Sequence, residues 1–430
     1  MGCCAVIRAF CSIFLLEFRR FFRSKAFALL IIASTAWMIL LPFILKSDGT
    51  AEGAREIYMR YSLGGVFALS AIALASSAAS SLAREREEKR LQLSMIRPVS
   101  LAYLALARIA ALVFIGAITL FVSSSILAFK TRGTWRNCWH VLDPVLESAS
   151  EEAEKEYARY MADPDLPEEI RKSDKAVLIR LLTRHAFERY EAIPPGGKGG
   201  WIFDAAKFSS RPLAVRIRFT NDYNIRDDVK GVFSFGSLKG EIDNITQAIA
   251  KIPLDKKINR EESSSLREGQ LDFENLGKNS LMLRPRRDIN LLAEADSFAF
   301  NLIRANLELI AILASLISLA MFLGAGLGRS VAVFTCITFM FVAVASSDII
   351  SECPDPLESD KVDKMSLAIT RAVDFVARPI NSLRPLAALS LDECVETKEV
   401  VKVTIVDILL LPLLFSLLSA FVIAHQEDGV

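Results

Sequence analysis

The chain has 430 residues and a formal net charge of +1, with 52% hydrophobic and 23% charged residues. At a mean hydropathy of +0.34, so much charge requires the apolar residues to be gathered into runs, and the length allows more than one domain. A net charge near zero gives no support to nucleic-acid binding, which needs a concentrated basic face.

In chain order, the first element is "CSIFLLEFRRFFRSK", Cys11 to Lys25. Phe14, Leu15, Phe18, Phe21 and Phe22 recur at helical spacing, and Glu17, Arg19, Arg20 and Arg23 occupy much of the remainder. Such a helix is expected to lie in the membrane interface, aromatics toward acyl chains and arginines toward headgroups. It serves equally well as a plain anchor or as a lever on that face. The leading "MGCC" lacks the myristoylation pattern, since Val6 stands where Ser or Thr is needed.

Six apolar runs then stand out: Ala26 to Leu45, Tyr61 to Ala83, Ile109 to Phe129, Leu309 to Gly328, Ser330 to Ser347 and Val403 to Ala424. Each approaches or exceeds the ~18–20 residues that take a helix across ~30 Å of hydrocarbon. Buried helices of a soluble protein are usually shorter and keep a polar stripe. The expected fold class is therefore an α-helical polytopic membrane protein with six transmembrane helices. Lys and Arg near the run ends set the orientation. Arg8, Arg19, Arg20, Arg23 and Lys25 precede the first run, Arg84, Arg86, Lys89, Arg90, Arg97 and Arg108 lie between the second and third, and Arg329 lies between the fourth and fifth. These segments are expected in the cytoplasm, with both termini, in a multi-pass protein of the inner (cytoplasmic) membrane.

The expected layout has three parts: an N-terminal membrane half over 1–129, an extracytoplasmic insertion over 130–304, and a C-terminal membrane half over 305–430 with an outer loop at 348–402. Within the insertion, charged helices are expected over about Val145 to Met161 and Pro167 to Tyr190, then a linker over Pro194 to Gly200. "RPLAVRIRFTN" alternates Leu213, Val215, Ile217 and Phe219 against Ala214, Arg216 and Arg218, a strand with one buried face. Gly231 to Ser237 and the stretch near Leu283 are further strands, so the insertion reads as α+β, a helical hairpin then a small β-sandwich with Trp201 and Phe203 in its core. His185 reads as a surface residue. No spacing suggests a catalytic triad, a zinc site or a cofactor. Cys353 and Cys394 fall in one outer segment, where an oxidising exterior allows them to pair; two free thiols are the alternative. Asp407, about one turn inside the sixth run, is a functional-site candidate, because an intramembrane carboxylate is costly; it also fits a span that begins a few residues later. Small residues from Ser76 to Ser81 permit close helix contact, within the chain or at a dimer seam.

The densest charge lies in "SLAREREEKRLQLSMIRPVS", Ser81 to Ser100. Charges fill Arg84 to Arg90, then Leu91, Leu93, Met95 and Ile96 precede Arg97 and Pro98. Proline disfavours helix at Arg97, so a short helix, charged first and apolar at its end, is expected there, and its apolar end suggests docking. A solvated face with pairs such as Glu85–Lys89 is the alternative. The segment resembles the cytoplasmic coupling motif of ABC-2-type transporter permeases through Glu85, Glu87, Leu91, Leu93, Pro98, Val99 and Ser100. "FRRFFRSKAFALL" before the first run and the six-run layout are similar to that family as well, while Lys89-Arg90 replaces the family's Gly-Thr. The resemblance implies a permease subunit of an exporter, paired with a second copy or paralogue. A separate ABC ATPase would bind around Glu85, Glu87, Lys89, Arg90, Leu91, Leu93, Arg97 and Pro98. The chain has no G-x-x-x-x-G-K-[ST] phosphate loop of its own, so it is not expected to be an enzyme. A membrane-anchored binding or sensory protein is the other reading. Membrane lipid is an expected partner of either.

Overall fold

A computed structural model describes residues 3–45, 51–88, 100–132, 137–145, 149–162, 175–204, 213–218, 229–236, 238–243, 249–254, 256–257, 269–339 and 384–427. The chain forms two compact units, Met1–Arg136 with Ser297–Val430, and Asn137–Asp296. The strict sequence limits of the inserted unit differ from the expected 130–304 because one helix runs on to Lys130 and the next begins at Phe298.

The first unit is helical. It comprises α1 (Cys3–Phe22), α2 (Lys25–Ile44), α3 (Ala51–Glu87) and α4 (Leu101–Lys130). Ser24 and Ser100 supply the N-caps of α2 and α4, their hydroxyls accepting from Phe27 N at 3.2 Å and Tyr103 N at 3.4 Å. Ser24 Oγ also donates to Phe21 O at 2.7 Å, so one serine both ends α1 and starts α2. The second unit contributes α5 (Ala149–Ala162), α6 (Lys175–Glu188) and the single turn α7 (Pro285–Asp288). The chain then returns to the first unit as α8 (Phe298–Gly326), α9 (Arg329–Phe339), α10 (Arg384–Ser390), α11 (Thr397–Val403) and α12 (Leu411–Glu427), with a π-helical segment, Thr404–Leu410, joining the last two.

Among the described residues, five helices are long and apolar enough to cross a membrane: Lys25–Ile44, Gly53–Glu87, Leu101–Lys130, Phe298–Gly326 and Thr397–His425. The fifth of the six expected runs enters as the short apolar helix α9, and its remainder lies outside the described residues. Burial ranks the candidate spans. In α8, 78% of the apolar window is buried within the chain, against 22% in α2 and 22% in Thr397–His425, so α8 is the axis of the bundle. It packs on α3 through small residues. A Cβ at Gly324 would stand 2.1 Å from Ala79 O, so glycine is what permits this helix crossing. Ala78, Ala79 and Ser81 are all buried there; intrachain packing accounts for these small residues of α3.

Among the described residues, the second unit has eleven strands: β1 (Trp139–Leu142), β2 (Glu191–Ile193), β3 (Lys198–Ile202), β4 (Leu213–Arg218), β5 (Lys230–Phe235), β6 (Leu238–Asp243), β7 (Ile249–Leu254), β8 (Lys256–Lys257), β9 (Gln270–Asn275), β10 (Leu281–Leu283) and β11 (Ile289–Glu294). They pair antiparallel as β1-β11-β4-β7, β3-β9-β5-β6-β8 and β10-β2. One core lies between the sheets, with Val215, Ile217 and Leu291 from the first sheet and Trp201, Phe233 and Phe273 from the second. Phe203 joins the same core. Phe233 sits opposite Phe273 in register, ring centroids 4.5 Å apart. The chain enters and leaves this unit side by side, since Cys138 N donates to Asp296 O and Ala295 N to Cys138 O, both at 2.8 Å. The expectation of one buried face on β4 is corrected. Ala214 and Arg216 are buried as well as Val215 and Ile217. Arg216 lies opposite Asn290 in register and donates to its Oδ1 at 3.2 and 2.8 Å, while Asn290 Nδ2 donates to Asp143 Oδ1 at 2.7 Å. A paired guanidinium tolerates burial that a lone one would not.

Candidate functional site

The site begins with the face that α1 presents to α4. Phe14, Phe18 and Phe21 share that face at i, i+4 and i+7. Phe14 and Phe18 both pack on Phe114 of α4, with centroids 5.8 and 6.0 Å away. Glu17, one turn after Phe14, is carried onto the same face and is only 2% exposed. The amphipathic pattern sets Glu17 with the arginines, apart from the aromatics; the structure buries it among the aromatics. Two turns into α4, Arg108 is 5% exposed. Its Nη2 donates to both carboxylate oxygens of Glu85 on α3, at 2.8 and 2.7 Å, and its Nε lies 4.0 Å from Glu17 Oε2. Arg20 stands 3.7 Å from Glu17 and 3.6 Å from Glu85. Two carboxylates and two guanidiniums thus cancel within one cluster that joins three helices. Burying such ions costs several kcal/mol each unless they are paired, and hydrogen bonds between two ionised groups are about twice as strong as neutral ones.

The turns next to Glu85 extend the junction. Arg86 donates to Ala325 O and Leu327 O, each at 2.7 Å, and so satisfies carbonyls that the end of α8 leaves open. Glu87 Oε1 accepts from Arg329 N at 3.0 Å, at the first residue of α9. Arg84 pairs with Glu88 at 2.8 Å on the exposed side. The last two turns of α3 therefore tie together α1, α4, α8 and α9. Of the residues expected to couple to an ATPase, Glu85 and Glu87 are engaged in these contacts within the chain. Lys89, Arg90, Leu91, Leu93, Arg97 and Pro98 lie outside the described residues. Glu17 and Arg108 were not singled out as site residues from the sequence. The available signal was an acidic residue amid phenylalanines at helical spacing and an arginine at the mouth of an apolar run.

Asp407 is another buried charge of the candidate spans, as is Glu308 of α8. It is 4% exposed and sits at the centre of the π-helical segment Thr404–Leu410. Its side chain meets the hydroxyl of Ser315 on α8, not a cation, among the described residues. A π-helical turn widens the helix and shifts its hydrogen bonds from i+4 to i+5, which is common at functional sites.

At the opposite end of α3, Arg55 forms an ion pair with Asp392, a residue in the left-handed region at φ 58°. Nearby, Asn301 donates to Glu393 O and accepts from Val395 N, at 2.7 and 2.8 Å. Arg304 donates to Cys394 Sγ and Val395 O, both at 3.2 Å. These contacts pin the turn before α11 to α8. Cys353, the expected partner of Cys394, lies outside the described residues. His185, expected at the surface, lies in α6 and is exposed. Among the described residues no three His, Cys, Asp or Glu side chains gather as a metal site would require. No family model, curated protein or solved structure matches the chain.

Proposed function

We propose that the chain is the membrane-spanning permease subunit of an ATP-driven ABC-2-type exporter, acting with a second copy or paralogue and a separate ATPase. The observation that carries this reading is the convergence of four helices on the start of the family-like segment Ser81 to Ser100. Glu85 holds α4 and α1 through Arg108 and Arg20, and Arg86 holds the end of α8. A push on the chain just past Glu87 would reach α1, α3, α4 and α8 through paired charges. On this reading the charged end of the bundle faces the cytoplasm, in line with its arginines, both termini lie there, and residues 137–296 lie outside. ATP hydrolysis falls to the partner, because the chain has no phosphate loop.

The test is to look in the adjacent reading frames for a phosphate-loop ATPase and, with the one found, to co-express, purify and assay ATP hydrolysis. A stable complex with stimulated hydrolysis is expected. Lys89→Glu with Arg90→Glu should abolish assembly while the chain alone keeps its elution volume. Assembly unaffected by that double reversal would refute docking at this segment. A membrane-anchored binding or sensory protein remains the second reading, favoured by the separate core of Asn137–Asp296. It predicts no adjacent ATPase and a ligand-dependent rise in the unfolding temperature of the chain.

A further inference from the structure

A groove between α2 and α4 is used neither by the packing of the bundle nor by the charge cluster. It encloses about 300 Å³. Ile31 and Met38 of α2 form one wall and Ile115 and Ile118 of α4 the other, and Phe18 and Phe22 of α1 close one end. Lys130, in the last turn of α4, lines the other end, its Nζ 5.6 Å from the centroid of the Tyr58 ring. From Phe27 to Met38 the groove follows α2 for about 16 Å at 1.5 Å per residue, close to the depth of one leaflet of a ~30 Å hydrocarbon core. A single polymethylene chain is slender enough to lie along such a groove, whereas a helix with its side chains is ~10–12 Å across.

Two polar features of the groove point to more than a bare hydrocarbon. Ser34 is 5% exposed, faces the groove, and its hydroxyl has no partner among the described residues. Buried hydroxyls are nearly always partnered. Lys130 beside Tyr58 forms the cation and aromatic rim typical of a helix end at the level of lipid headgroups. We propose that the groove binds one acyl chain of an anionic glycerophospholipid. The chain lies between Ile31 and Ile118, an ester carbonyl accepts from Ser34 Oγ, and the phosphate meets Lys130. This site rests on the membrane location of the helices and is independent of the transport reading.

The full chain in nanodiscs tests it, with phosphatidylglycerol or phosphatidylcholine carrying a photoreactive diazirine in one acyl chain and the labelled peptides identified by mass spectrometry. Labelling of α2 and α4 along the groove should exceed that of Leu413, Leu417 and Phe421, an equally apolar exposed face of α12, by at least fivefold. It should be saturable by unlabelled phosphatidylglycerol. Phosphatidylglycerol should label at least threefold more than phosphatidylcholine, and Lys130→Gln should bring that ratio close to one. Ser34→Phe, which fills the groove, should remove the excess. If that variant does not fold, the competition experiment on the unaltered chain decides. Equal, non-saturable labelling of both faces would overturn the proposal. So would an Ile31→Cys variant that forms a disulfide between two copies and loses lipid labelling, since the groove would then belong to a second chain.

Discussion

Arg108 and Asp407 are both charged side chains nine-tenths or more buried in the helical unit, and they are housed in opposite ways. Arg108 has carboxylates from two other helices around it and sits where α1, α3 and α4 meet. Asp407 meets a serine hydroxyl in a π-helical segment of an otherwise apolar helix. The first arrangement recovers the cost of burial through mutual attraction and hydrogen bonds. The second leaves much of that cost standing. Arg108 is therefore a residue whose removal should be felt in folding, and Asp407 one whose removal should be felt in activity.

Substitutions can break this contrast, and the largest effect is expected at Arg108. Arg108→Ala leaves Glu17 buried and Glu85 half-buried without their shared cation and should cost about 3–5 kcal/mol, read as a lower unfolding midpoint of the purified chain in detergent. Arg108→Lys keeps the charge but loses the two-oxygen geometry and should cost less, which separates charge from shape. Gly324→Ala should come next, at about 1–3 kcal/mol, because its Cβ meets backbone at Ala79 and forces the α3–α8 crossing apart. If Gly324→Ala exceeds Arg108→Ala, close packing rather than charge pairing holds α3 in place.

Asp407→Leu should change the unfolding midpoint little, or raise it by an amount equivalent to about 1 kcal/mol, while reducing substrate-dependent ATPase stimulation in the assembled complex. A large loss of stability there would make Asp407 a structural residue like Arg108 and end the contrast. The smallest effect is expected for Arg20→Ala. Its side chain is 39% exposed, and pairs of that kind are worth about 0–1 kcal/mol. A loss comparable with that at Arg108 would show that the cluster acts as one unit instead of through its central pair.

Some of this was legible in the residues themselves. The runs near Ala26, Tyr61, Ile109, Leu309 and Val403 all lie in long apolar helices, since crossing length and hydrophobicity are properties of a contiguous stretch. The alternation from Leu213 to Ile217 announced β4 for the same reason: strand period is local. Which face of a strand is buried is not local, and Arg216 shows it. A residue that alternation assigns to solvent is enclosed because Asn290 and Asp143, remote in sequence, complete its hydrogen bonds. The charged run after Ser81 was visible as a feature, yet its use was not. Its carboxylates could equally have pointed outward to a partner.

Sequence by itself determined where the apolar helices lie, where the chain changes from apolar to charged, and that Glu17, Glu85, Arg108 and Asp407 stand in or beside apolar surroundings. Only the tertiary structure decided who pairs with whom. Glu17, Glu85 and Arg108 come from three different helices and meet because the phenylalanines of α1 dock on α4 while the small residues of α3 dock on α8. A charge has no periodicity that announces its partner. Its burial is tolerable only once packing has brought the opposite charge within reach, so the composition of α3 could announce a junction while its contents waited on the fold.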